Sequence, residues 1–146
     1  MGDVMKNSRS LLTICFCAGL LGALASSGVA WVAAAMGLPQ WCGVDLVPQW
    51  TAAWIYPRLV WGGLWGLLFL FTVSSPRSRN QWVRKGMWIS LLPSAWLLLY
   101  VFPQQTTYGA LGLGLGVLTP LFVVLYNLIW GAATGVFARA FHGPGR

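Results

Sequence analysis

The sequence predicts an all-α integral membrane protein: a four-transmembrane-helix bundle, N-in and C-in, with an aromatic interfacial segment between helices 1 and 2. Three observations predict it. Hydrophobic residues make up 58% of the chain and charged residues 8%, and the mean hydropathy is +0.70. Long apolar stretches carry almost no ionisable side chain, and nearly all the cations lie between them. Ionised groups are expensive in hydrocarbon, so a bilayer imposes that separation and water does not. Four spans of roughly 20 residues each use up the length, so residues 1–146 are expected to form a single membrane domain.

The first span is expected at 11–38, rich in Ala, Gly and Ser. Lys6 and Arg9 precede it, and Ala23 and Ala25 imitate a signal-cleavage pattern. The apolar run continues well past that point, so it is read as a retained helix. Residues 39–56 hold Trp41, Trp50, Trp54 and Tyr56 around Asp45 and two prolines. Indoles and phenols prefer the headgroup level, which makes this an interfacial stretch or short lid. The second span is expected at 57–74, or a turn earlier. A basic turn with Arg77, Arg79, Arg84 and Lys85 follows, then a third span at 86–102 containing Pro93. The last apolar stretch, 109–141, would reach roughly 50 Å as one helix, against about 30 Å of hydrocarbon. A kink, an unwound piece or a strong tilt is therefore expected near Pro120.

Eight of the nine cations fall on one side of this topology: Lys6, Arg9, the four of the basic turn, Arg139 and Arg146. That asymmetry places both termini in the cytoplasm, in a bacterial-type inner membrane. Arg77, Arg79, Arg84 and Lys85 are candidates for contact with anionic lipid headgroups. The net charge of +7 is thus explained by membrane flanks, and no nucleic-acid partner is expected.

Arg58 is the exception, at the outer end of the second span. Trp54, Arg58, Trp61 and Trp65 are spaced 4, 3 and 4, so a helix puts them on one face. Indoles on either side of a guanidinium favour cation–π contact. Two readings follow. The face lines a pocket for an amphiphile with an anionic or carbonyl head, or Arg58 snorkels outward and pairs with Asp45. The other side of the helix carries Gly62, Gly63 and Gly66, where a neighbouring backbone can approach closely. Gly112/Gly116 and Gly131/Gly135 repeat the spacing. Asn127, near mid-membrane, joins Gly131 in a stripe read as helix glue. Of the ten tryptophans, Trp41, Trp50 and Trp54 are read as outer-interface markers, and Trp82 and Trp88 as inner ones. Trp31, Trp61, Trp65, Trp96 and Trp130 remain within the spans.

Absences narrow the chemistry. There is no Glu, the two Asp are Asp3 and Asp45, and the one His, His142, lies in the tail. Histidine metal sites and bis-His haem ligation inside the bundle have no ligands. Cys15, Cys17 and Cys42 form no disulfide framework. The serines of the spans have no base nearby in sequence. Neither catalysis nor a cofactor or metal is expected.

Pro48-Gln49-Trp50-Thr51, followed by aromatics, and Asn127-Leu128-Ile129-Trp130 resemble the tryptophan-rich sensory protein (translocator) family. The resemblance implies a bundle that binds porphyrins or sterols. That family has five spans where this chain shows four, and no membership is assigned on two short stretches.

The leading expectation is a small accessory or structural subunit that packs through its glycine faces against a larger membrane complex or itself. The alternative is a binding protein or carrier for a lipid, quinone or pigment, using Arg58 and the Trp face. A small oligomeric channel is a third reading. Membrane lipids are expected partners in every case.

Overall fold

A computed structural model describes residues 2–71 and 79–142, with side chains from 9 to 71 and from 81 to 142. Among these residues the chain is all-helical, with no strand. Four helical stretches are long and apolar enough to cross a membrane: Arg9–Ala35, Ala52–Phe71, Gln81–Gln105 and Thr119–His142.

α1 (Gly2–Ala35) is the first. It stops at Gly37, whose φ of 77° is the left-handed conformation that a helix end uses to turn its chain away. The short α2 (Leu38–Trp41) begins at once with Pro39, whose missing N–H costs nothing in a first turn. Residues 43–50 are not helical. α3 (Ala52–Gly66) starts a turn before Pro57 and tightens into a 3₁₀ segment, Leu67–Phe71.

The third span is broken into pieces. α4 (Arg79–Ile89) gives way at Ser90 to α5 (Leu91–Trp96). Pro93 has no N–H to offer the carbonyl of Ile89, so the ladder loses a rung there. One residue on, the Ser90 carbonyl accepts both the Ser94 hydroxyl at 2.8 Å and the Ser94 N–H at 3.2 Å. A π-helical stretch, Leu97–Val101, and α6 (Phe102–Gln105) complete the span. α7 (Thr119–His142) is the last helix.

The excess length of the final apolar stretch is resolved by unwinding. Residues 110–115 form a distorted 3₁₀ turn in which Leu111 and Gly112 have φ of 58° and 70°. Gly116 follows with φ 138°. The expected helix face at Gly112 and Gly116 therefore does not exist. A spacing of four fits a helix, but Gly112 and Gly116 take positive φ in a turn, a conformation that glycine adopts most readily.

α1 packs against both α3 and α7, and α7 packs against α4. Glycine permits each close approach. A Cβ at Gly66 would lie 2.6 Å from the Cys15 carbonyl oxygen, and one at Gly63 2.6 Å from the Phe16 ring. Gly62 sits against Gly19 and Ala23. On the other side of the bundle Gly86 and Gly131 meet backbone to backbone, and a Cβ at Gly135 would lie 2.6 Å from the Trp82 carbonyl oxygen.

The half of the bundle nearer the chain termini is solid. Phe69, Trp82, Ile89 and Trp130 fill it with the small residues Cys15, Ala18 and Ala138. Trp82, expected as an interface marker, is 7% exposed and belongs to this core, while Trp88 is 69% exposed. Arg84 is exposed and Lys85 half-buried. Arg77 lies outside the described residues, as does the side chain of Arg79.

Candidate functional site

The other half of the bundle is hollow. A cavity of about 560 Å³ lies between all four spans. This is within the range of pockets that enclose a small organic ligand. Each wall has a local cause. α1 contributes Ala23, Ser26, Ser27 and Ala30, a small-residue stripe at helical spacing that leaves room. The Pro93 break and the π-helical stretch shape the wall opposite, through Trp96, Leu97 and Val101. Extra residues of this kind in a helix often accompany binding sites.

α3 supplies the charged wall. Trp54, Arg58, Trp61 and Trp65 all line the cavity, as their spacing predicts. The Arg58 guanidinium carbon stands 4.3 Å from the Trp54 ring centroid, a cation–π distance. Asp45 also lines the cavity, from the segment between α2 and α3. The two are not ion-paired, so Arg58 does not spend its charge on the expected acid. The Asp45 backbone N–H instead donates to the Leu115 carbonyl at 2.7 Å, tying this segment to the unwound turn before α7.

α7 brings Tyr126, Asn127 and Trp130 to the cavity. The Tyr126 hydroxyl is buried and has no hydrogen-bond partner. It lies within electrostatic reach of Arg58. Asn127 does not glue two helices as expected: its amide donates to the Val123 carbonyl of its own helix at 3.0 Å. An amide at that depth satisfies itself locally when no acceptor faces it. The bonds that join α1 to α7 come from elsewhere. Trp130 Nε1 donates to the Gly19 carbonyl at 3.0 Å, and the Ser26 hydroxyl donates to the Tyr126 carbonyl at 2.7 Å.

Sequence reasoning missed Trp96 and Tyr126 as site residues. Tyr126 and Trp130 are four apart, with Asn127 between, and that polar-aromatic face was the available signal. Cys15 is buried, while Cys17 and Cys42 are exposed. Among the described residues no group of three His, Cys, Asp or Glu side chains could hold a metal ion. The arrangement thus offers one guanidinium, one unpartnered phenol and a cage of indoles. The guanidinium and the phenol can each donate to an oxygen, and the indoles present apolar faces.

No protein-family model, curated protein or solved structure matches the chain.

Proposed function

We propose that this protein binds an amphiphile with an anionic or carbonyl head, and that the cavity between its spans is the binding site. The observation that carries this reading is Arg58. It is a cation with no acidic partner, stacked on Trp54 and set in a cavity of about 560 Å³ walled by indoles. Arg58 is exposed in the isolated chain, but an unpaired cation at the end of a membrane span is costly once lipid surrounds it, and a bound anion offsets that cost. On this reading the protein sits in an inner membrane with both termini in the cytoplasm, and residues 39–56 lie at the outer surface. The lysines and arginines that flank the spans support that orientation.

The accessory-subunit reading drew on glycine faces available to a partner. Gly62, Gly63, Gly66, Gly131 and Gly135 are occupied inside the bundle by α1 and α4. What α3 and α7 leave outside is apolar bulk such as Val60, Leu64, Leu121 and Val136, which lipid covers equally well. The channel reading requires an oligomer to build a polar pore between chains, whereas the outward residues Val60, Leu64, Leu121 and Val136 are apolar.

The test is a titration of the purified protein in nanodiscs with 9,10-dibromostearate, a long-chain carboxylate that quenches indole fluorescence. A saturable component is expected that the matching brominated alcohol reproduces only weakly. Arg58→Gln should weaken it about 10- to 100-fold, the value of one charge-assisted hydrogen bond. Equal quenching of wild type and Arg58→Gln by both probes would contradict the proposal.

A further inference from the structure

We infer that the occupant carries a single oxyanion head and is loaded sideways from the bilayer, through a gap between α3 and α5. The inference rests on the binding role proposed above.

Around the bundle, α3 packs on α1, α1 on α7 and α7 on α4, but α3 and α5 make no extensive contact. Both nevertheless line the cavity. A ring of four spans with one side left unpacked has a lateral opening there. Packed chain lies toward both ends of the bundle. Toward the termini the Phe69 cluster fills the bundle. Toward the other end, residues 43–48 form a roof held to the unwound turn by the Asp45–Leu115 hydrogen bond, with Gly116 against the Gly43 backbone. Trp31 and Trp50, with centroids 5.9 Å apart, hold the far side of that roof to α1.

The gap is lined by groups suited to an amphiphile in transit. Trp61 on α3 is 52% exposed and Trp96 on α5 is 42% exposed, while each also faces the cavity. Trp96 is braced by stacking on Tyr100 at 4.4 Å. A chain can slide between such rims without meeting a charge until its head reaches Arg58. There the head meets two donors, the guanidinium and the unpartnered Tyr126 hydroxyl. An oxyanion accepts from both, whereas an ammonium head accepts from neither. Asp45 in the roof repels a second negative charge and so limits the head to one. A carboxylate and a phosphodiester both meet that description.

The experiment closes the gap reversibly. Cys15, Cys17 and Cys42 are replaced by alanine or serine, and Pro57→Cys and Leu97→Cys are introduced on the two rims. A bis-maleimide with a cleavable disulfide then staples α3 to the π-helical stretch that continues α5. Loading is followed by native mass spectrometry after mixing with vesicles of digalactosyldiacylglycerol, an uncharged lipid without phosphate, that contain either oleate or phosphatidylglycerol. Whichever adduct forms identifies the head. The staple is expected to slow loading at least tenfold, and cleavage of the same sample to restore it. Equal loading before and after cleavage would overturn sideways entry. If the wild type takes up neither probe, the binding role itself fails, and that outcome is distinct from failure of the route. A photoreactive oleate on the wild type gives a check that needs no staple. Early adducts at Trp61, Trp96 or Leu97 are expected, and early adducts on residues 45–48 would contradict the inference.

Discussion

On the proposed reading, one residue, Arg58, turns a hydrophobic bundle into a discriminating one. Its stem crosses apolar surface, its head stacks on Trp54, and no carboxylate neutralises it. Arg58→Lys keeps the charge but loses the planar face and the forked donors, so dibromostearate affinity should fall severalfold in the nanodisc titration, less than for glutamine. Tyr126→Phe removes the second donor only. A loss of roughly 10-fold or more is expected, as for a hydrogen bond to a charged acceptor, and the brominated alcohol should lose less. Trp130 acts on stability. Its indole satisfies the Gly19 carbonyl within the contact between α1 and α7. Trp130→Phe should lower unfolding free energy by about 1–2 kcal/mol, measurable as a shift in thermal unfolding in detergent.

At the scale of elements, small residues close three sides of the bundle and a proline disrupts the fourth. Gly66→Leu should separate α1 from α3, because the new side chain would have to occupy the place of the Cys15 carbonyl and Gly19. A cost of at least about 1–3 kcal/mol is expected, seen as a lower unfolding temperature. Pro93→Ala restores the missing rung at Ile89. Unfolding should then occur at an equal or higher temperature, while oleate binding weakens as α5 straightens into the cavity. Unchanged binding would show that the break does not shape the site. The face of Trp54, Arg58, Trp61 and Trp65 was legible in the sequence because one helix with a period of 3.6 defines it. Tyr126 and Trp96 were not, because their roles come from the meeting of helices far apart in sequence. The same limit explains Asn127, whose hydrogen-bond partner lies on its own helix and not on a neighbouring one. Gly112 and Gly116 misled because a spacing of four is shared by helix faces and by this glycine-rich turn.

For the whole molecule, the division into a solid half and a hollow half is the organising feature. The solid half, built on Phe69, Trp82 and Trp130, fixes the helices so that the other half can remain open. Four spans and the hydropathy behind them could be read from composition, but the cavity could not, since volume depends on what fails to pack. The orientation has its own check. Cys42 is exposed beyond the end of α1, whereas Cys17 is exposed on the membrane-crossing part of α1. A membrane-impermeant maleimide applied to intact spheroplasts should label Cys42 and spare Cys17. Labelling of Cys42 only from the cytoplasmic side would reverse the topology.

The central claim is that this bundle exists to hold a small acidic amphiphile. Native mass spectrometry of the intact particle, extracted gently from its own membrane, tests it most directly. The account predicts the 15.9 kDa chain, alone or as a homo-oligomer, carrying a bound small molecule that Arg58→Gln loses. A larger heteromeric particle with no bound small molecule, unaffected by Arg58→Gln, would contradict it and identify an accessory subunit instead.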